Sequence, residues 1–223
     1  MSQDTLQASN TPTLSEPGLL VMDVDSTLID EEVIDMLGDA AGVGSQIANI
    51  TARTMAGELD FCEALRARVA LLKGLSQHIF DDVYHHVHFT TGALELIETL
   101  HSHGWKVGVV SGGFHEVVDA LAKDAHLDHW LANRLAVQDG YLTGEVIGDI
   151  VCRTTKLHAL QQWAQDDGID MSQTVAVGDG ANDIPMIQAA GMGIAFCAKP
   201  AVQQAAHHAI HTRDLRQVLD LLH

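Results

Sequence analysis

The sequence has few cysteines, and they lie far apart. Cys62, Cys152 and Cys197 are an odd number, and none of them forms a C-x-x-C pair. This spacing suggests neither a disulfide framework nor a zinc knuckle. Because unpaired cysteines are typical of a reducing compartment, we expect a cytoplasmic protein.

Basic residues and long apolar runs are also scarce. Twelve Lys and Arg residues stand against 30 Asp and Glu residues, a formal net charge of −18. A negative field repels phosphate groups, so we expect neither nucleic acid nor an anionic membrane as a partner. No run reaches the roughly 18 apolar residues of a membrane span. Residues 1–18 are polar and acidic, unlike a signal peptide, and we expect a flexible tail there.

Apolar residues, 47% of the chain, are numerous enough for a sizeable core. Their helix-like spacing predicts four helices and no strand between residues 30 and 88, which indicates an inserted helical cap. Afterwards predicted helices and strands alternate, apart from a hairpin within residues 134–150 that turns at Asp139-Gly140. This alternation is typical of parallel strands joined by crossover helices. We therefore predict an α/β fold: a Rossmann-like, doubly wound parallel sheet core (residues 19–29 and 89–223) and a helical cap (30–88).

Two acidic residues follow the first predicted strand. Asp23 and Asp25 flank Val24, so both carboxylates can leave the strand end on the same side while Val24 turns into the core. One carboxylate can attack a substrate while the other transfers protons. The alternatives are a solvated loop or a calcium loop, but Leu28 and Ile34 stand where an EF-hand needs Gly and Glu.

Three further polar clusters follow strands or open helices, and ligands bind beyond the carboxyl ends of parallel strands. Residues 111–113 read S-G-G, which suits a phosphate cradle or merely a flexible turn. Asp179 and Asp183 suit a hard cation such as Mg²⁺, although Asn182 beside them could simply cap a helix. Lys156 stands at a predicted helix start, where it could meet an anion or only solvent.

These clusters occur in the order typical of the haloacid dehalogenase superfamily, which the sequence resembles from residue 19 to its end. The motif D-V-D-S-T begins at Asp23, followed by Ser111, Lys156 and the segment G-D-G-A-N-D that starts at Gly178. Between the first two motifs, the segment M-A-G-E-L-D-F starting at Met55 resembles the phosphoserine phosphatase branch. This likeness extends through the residues that follow to Arg68.

The resemblance implies catalytic and metal-binding roles for four carboxylates. Asp23 would be the nucleophile and a Mg²⁺ ligand. Asp25 would act as general acid and then as general base, with its backbone carbonyl on the metal. Asp179 would be a second side-chain ligand, and Asp183 would support the metal site.

The resemblance also implies two groups of substrate contacts. Ser111, the Gly112 amide and Lys156 would hold the phosphoryl oxygens, with Asn182 helping to place the substrate. The amino-acid part would meet four cap residues: Glu32 at its ammonium, Arg68 at its carboxylate, and Met55 and Phe61 over its backbone. From the residues alone, Arg68 and Glu32 could instead form a surface ion pair, and Met55 and Phe61 could belong to the cap core.

The reaction implied is Mg²⁺-dependent hydrolysis of O-phosphoserine to serine and phosphate through a phospho-aspartyl intermediate, the last step of serine biosynthesis. Two related alternatives stay open: transfer of the phosphoryl group to an alcohol such as homoserine, and hydrolysis of another small phosphate ester. An inactive sensor of a phosphorylated amino acid is a third, although a sensor does not need the second carboxylate, Asp25. We expect a monomer or a homodimer.

Overall fold

The computed structural model describes residues 11–55 and 58–222. Its centre is a seven-stranded sheet with the order β4-β3-β2-β1-β5-β6-β7. All neighbouring strands are parallel except β3 and β4, which form an antiparallel hairpin. The strands are β1 (Leu19–Met22), β2 (Lys106–Phe114), β3 (His129–Gln138), β4 (Tyr141–Ile147), β5 (Thr174–Gly178), β6 (Met192–Phe196) and β7 (His208–Ile210).

The first strand lies at the centre of the sheet and is buried on both faces. Leu20 and Met22 point into one core, and Leu19 and Val21 into the other. The chain runs from β1 to β2 on one side and later to β5 on the other. The edge beyond the end of β1 is therefore the point where strand order reverses and ligands bind in such sheets. The predicted doubly wound α/β fold is confirmed.

Helices cover both faces of the sheet. The face of Leu19 packs against α7, α8 and α9, and the opposite face packs against α1, α5 and α6. None of the described helices is long and apolar enough to cross a membrane. The helices are α1 (Val33–Ala40), α2 (Gly44–Met55), α3 (Phe61–Ala70), α4 (Ile79–Tyr84), α5 (Ala93–Ser102), α6 (His115–Asp124), α7 (Arg153–Asp166), α8 (Ile184–Ala189) and α9 (Pro200–Ala205).

Helices α1 to α4 fall in the region for which a cap is predicted. The segment after α3 is tied to the hairpin: Gly74 N–H donates to Leu142 O at 2.8 Å, and Leu142 N–H donates to Leu75 O at 2.8 Å. The Gln77 N–H also donates to Gly140 O at 2.9 Å. These backbone hydrogen bonds hold the helical segment against the edge of the sheet. Its treatment as a separate domain stays a prediction.

The hairpin turns at Asp139 and Gly140, which have φ angles of 52° and 84°. Positive φ at both positions is typical of the type I′ turn that this pair favours. The first strand of the hairpin is longer than predicted, because β3 begins at His129 and its first residues pair in parallel with β2.

Part of the expected tail is packed on the core. The Thr13 N–H donates to Gln173 Oε1 at 2.9 Å, and Gln173 Nε2 donates to Thr13 O at 3.3 Å. Pro12 is buried, and Leu14 packs against the core. Hydrogen bonds with Gln173 and apolar contacts therefore connect part of residues 11–18 to the core, while the flexible tail stays a prediction. Residues 1–10 lie outside the described residues.

Candidate active site

A cavity of about 650 Å³ lies between the helical segment and the carboxyl ends of the central strands. Three predicted site residues, Ser111, Lys156 and Asp183, are fully buried beneath it and are absent from its described lining. The structure thus brings residues predicted to bind phosphate and residues predicted to bind the amino-acid part to one cavity. The predicted residues that line it are Asp23, Asp25, Glu32, Phe61, Arg68, Gly112, Asp179 and Asn182.

Asp23 is held at the cavity floor by the strand and by a buried lysine. Its N–H donates to Val177 O at 3.0 Å, which continues the pairing of β1 with β5. The Lys156 ammonium lies 2.7 Å from Asp23 Oδ2 and 2.7 Å from Asp183 Oδ1. Burial opposes the charge on Lys156, but the two carboxylates outweigh it and raise the Lys156 pKa above its usual value. The two carboxylates therefore favour the charged form of this lysine.

The Asp183 side chain fits beside Lys156 because Gly178, the last residue of β5, has no side chain. Its Oδ2 accepts the Gly180 N–H at 3.0 Å. A Cβ atom at Gly178 would lie 2.4 Å from Asp183 Cγ, closer than two non-bonded carbon atoms can approach. Helix α8 begins at Ile184 with Asp183 as its N-cap, so Asn182 does not cap it. Asn182 lines the cavity instead.

Three acidic side chains meet where a cation would fit. Carboxylate oxygens of Asp23, Asp179 and Asp183 lie within 4.8 Å of one another. Burial, followed by the charge of Asp183, raises the pKa of Asp179 to about 7. Burial and Asp183 likewise raise the pKa of Asp23 well above its usual range. Crowded carboxylates with only oxygen donors are typical of a hard divalent metal site, because a cation would relieve their repulsion.

Asp25 lies beside this cluster and is fixed by two donors. Its Oδ1 accepts the Val33 N–H at 2.8 Å, and its Oδ2 accepts the Ser111 hydroxyl at 3.3 Å. Burial, followed by the charge of Glu32, raises the pKa of Asp25 to about 6. A carboxyl group with a pKa near neutrality is suited to both giving and taking a proton.

The S-G-G segment lies near the end of β2, where the pairing with β3 shifts register, and it packs against Asp25. The Ser111 Oγ accepts the Gly113 N–H at 2.8 Å while donating to Asp25, so it does not face open solvent. A Cβ atom at Gly113 would lie 2.7 Å from Asp25 Oδ2, and one at Gly112 would lie 2.8 Å from Phe61 Cζ. Glycine at both positions therefore permits close approach, of Asp25 on one side and of the cap residue Phe61 on the other.

Glu32 and Arg68 lie on the cap side of the cavity. The Ser26 hydroxyl donates to Glu32 Oε1 at 2.7 Å. Arg68 is half-buried, and its Nε donates to Ala64 O at 3.3 Å. Burial lowers the pKa of Arg68, against the raising effect of nearby acids that include Glu32. The two groups are therefore near each other, but they do not form a direct salt bridge within the described residues.

The predicted role of Met55 cannot be compared with the structure, and several residues of the cavity lining were not predicted. Met55 ends α2, and its side chain lies outside the described residues. Thr51, Arg153 and Lys199 line the cavity but were not identified from the sequence. Lys199 follows β6 closely, so the rule that ligands bind beyond strand ends could have found it. Thr51 and Arg153 carry no such signal, because they lie in helices of ordinary composition.

Comparisons with known proteins agree with this arrangement. Residues 20–188 match the haloacid dehalogenase-like hydrolases. The chain is 57% identical over 209 residues to a phosphoserine phosphatase of Lactococcus lactis, covering 94% of this chain and 97% of that protein. It is 58% identical over 205 residues to one of Streptococcus thermophilus, covering 92% and 95%.

Solved structures give the same answer. A substrate-bound phosphoserine phosphatase has a TM-score of 0.88 at 42% identity, over 93% of this chain and 99% of that one. A phosphoserine phosphatase that holds an analogue of the phospho-aspartyl intermediate has the same TM-score and identity, over 93% and 100%. The family resemblance seen in the sequence is confirmed, and the chain belongs to the haloacid dehalogenase-like hydrolases, in the branch of the phosphoserine phosphatases.

Proposed function

We propose that the chain hydrolyses O-phosphoserine to serine and phosphate, with Mg²⁺ as its cofactor. The proposal is supported by full-length relatives that carry the name phosphoserine phosphatase. The observation that carries it is the composition of this cavity, where Asp23 and Asp25 lie on the floor and Glu32 and Arg68 lie on the cap side. A phosphate ester of an amino acid carries the groups that these residues can bind.

In the first step, a carboxylate oxygen of Asp23 attacks phosphorus in line with the serine oxygen. A P–O bond to Asp23 forms while the P–O bond to serine breaks, and phosphoryl transfer asks the protein chiefly to position these atoms. Asp25 gives its proton to the departing serine oxygen, which would otherwise leave as an alkoxide. The fixed position of Asp25, between the Val33 N–H and the Ser111 hydroxyl, suits this transfer.

In the second step, water replaces serine and the roles of Asp25 reverse. Asp25 takes a proton from the water as its oxygen attacks the phosphorus of phospho-Asp23. The P–O bond to Asp23 then breaks, and phosphate leaves with Asp23 restored. One carboxyl group therefore works as an acid and then as a base, for which a pKa of about 6 is suited.

The buried Lys156 and the hydrogen-bond donors of the floor would hold the phosphoryl oxygens. Lys156 bonds two carboxylates and has a third N–H to offer. Ser111 would exchange its bond to Asp25 for a phosphoryl oxygen, and the Gly112 amide would complete the cradle with Asn182 beside it. Because Lys156 is fully buried, its interaction with phosphate would be little screened by salt.

Mg²⁺ would be held by Asp23, Asp179 and the Asp25 carbonyl, with Asp183 in support. When bound, it supplies positive charge that neutralises the phosphoryl oxygens and the crowded acids. The proposal of Mg²⁺ rather than another metal is based on the oxygen-only donor set and on the family.

The cap would select the amino-acid part of the substrate. Glu32 would accept hydrogen bonds from the ammonium group, and Arg68 would donate to the carboxylate. Phe61, already packed on Gly112, would close over the substrate backbone together with Met55. We also propose that the protein acts in the cytoplasm as a monomer or homodimer, which its free cysteines support for a reducing compartment.

A panel of phosphate esters tests this function. Purified protein with Mg²⁺ is assayed for phosphate release from O-phosphoserine, O-phosphoethanolamine and p-nitrophenyl phosphate, with and without homoserine as an acceptor. We expect the highest kcat/KM for O-phosphoserine and unchanged release of phosphate in the presence of homoserine. A higher kcat/KM for another ester would contradict the substrate, and phosphohomoserine in place of free phosphate would indicate a phosphotransferase.

A further inference from the structure

One hydroxyl in the cavity wall has no hydrogen-bond partner. Thr51 on α2 lines the cavity, and its Oγ1 is buried and unpaired among the described residues. A helical threonine often donates to the carbonyl four residues earlier, and Thr54 does so, to Ile50 O at 2.9 Å. A buried hydroxyl without a partner costs stability and calls for an explanation.

The position of Thr51 places it on the cap side of the cavity. Helix α2 packs against α1, which begins one residue after Glu32, and against α3, which carries Arg68. The floor with Asp23 comes from the sheet instead. An unpaired hydroxyl on α2 is therefore placed to serve the amino-acid part of a substrate and not its phosphoryl group.

Arg68 alone cannot supply a hydrogen bond to every lone pair of the substrate carboxylate. Its Nε–H already donates a hydrogen bond to Ala64 O, so only its terminal nitrogens remain for a ligand. An ionised carboxylate has two oxygens with about four lone-pair sites. A second donor beside Arg68 would form a hydrogen bond with one of the remaining lone pairs.

We propose that the Thr51 hydroxyl donates a hydrogen bond to the substrate carboxylate, which makes Thr51 a specificity-determining residue. The inference rests on the proposed function, because it assumes an amino-acid substrate. Threonine in helices adopts two χ1 rotamers, so rotation about one bond is enough to turn the hydroxyl towards the cavity.

The test compares a substrate that has the carboxylate with one that lacks it. Thr51→Val keeps the shape of the side chain and removes the hydroxyl. We expect kcat/KM for O-phosphoserine to fall about tenfold, mainly through KM, since a hydrogen bond to a charged group is lost. For O-phosphoethanolamine, which keeps the ammonium but has no carboxylate, kcat/KM should not change. Thr51→Ser should behave as the wild type.

Thr54→Val is the matched control, because Thr54 also lines the cavity from the same helix but its hydroxyl is already bonded to the Ile50 carbonyl. It should leave both substrates unchanged. Equal losses for both substrates in Thr51→Val, or no loss for either, would overturn the role of Thr51. Thr51→Ala provides the same comparison should the valine variant not fold. A wild-type enzyme without preference for O-phosphoserine would instead overturn the proposed function itself.

Discussion

Replacement of the buried lysine is the sharpest test of how the site is held together. Lys156 is fully buried, and its ammonium lies 2.7 Å from Asp23 and 2.7 Å from Asp183. Lys156→Met keeps most of the side-chain volume but leaves two acids facing each other without their cation. Loss of one partner from a buried ion pair typically costs about 3–5 kcal/mol of unfolding free energy.

That loss can be measured as a shift in Tm. For a chain of this size each kcal/mol lowers Tm by about 2–4 °C, so we expect Lys156→Met to unfold about 6–20 °C below the wild type. Calorimetry is done with chelator, because a bound cation could take the place of the lysine. The double variant Lys156→Met with Asp183→Asn should recover part of the loss, since one of the two unpaired charges is gone.

An exposed lysine provides the control. Lys123 lies at the end of α6 and makes no ion pair within the described residues. Lys123→Met should change the unfolding free energy by no more than about 0.5 kcal/mol. If Lys156→Met were within about 1 kcal/mol of the wild type under the same conditions, the buried ion pairs would not hold the site together, and our reasoning would be refuted.

Three further predictions concern activity. Chelator should abolish phosphate release and added Mg²⁺ should restore it, whereas full rates in chelator would exclude a metal cofactor. Arg68→Ala should lower kcat/KM for O-phosphoserine by about 10- to 100-fold and that for p-nitrophenyl phosphate by less than about twofold; equal losses would make Arg68 structural. Asp25→Asn should slow phosphoenzyme formation from O-phosphoserine by about 10²- to 10⁴-fold, and in rapid-quench assays much less from p-nitrophenyl phosphate, because phenolate leaves without a proton.

The sequence predicted the floor of the site well because the ends of buried strands can be recognised from the pattern of apolar residues. The apolar run before Asp23 and the alternation after residue 88 place polar clusters at one edge of the sheet, and the structure brings those residues together. The cap was harder, because helix periodicity does not tell which face meets the core. Glu32 and Arg68 were identified by resemblance alone, and their roles stay predictions.

The features that the sequence did not predict depend on contacts between residues far apart in the chain. The sequence did not reveal that Lys156 would bridge Asp23 and Asp183, since the partners are far apart in the chain. The first half of β3 was missed because its pairing with β2 depends on tertiary contacts. The hydrogen bonds between Thr13 and Gln173 were not predicted either, because composition does not reveal contacts between residues far apart in the chain.

Trapping of the phosphoenzyme tests the central claim most directly. Wild-type protein is mixed with O-phosphoserine and Mg²⁺ and quenched in acid within the first turnover, and its peptides are analysed by mass spectrometry. The account predicts a phosphoryl group on Asp23 in the wild type, and neither phosphoenzyme nor phosphate release in Asp23→Asn whose fold is intact by circular dichroism. Phosphate release by Asp23→Asn at a rate near that of the wild type, or a phosphoryl group on another residue, would contradict it.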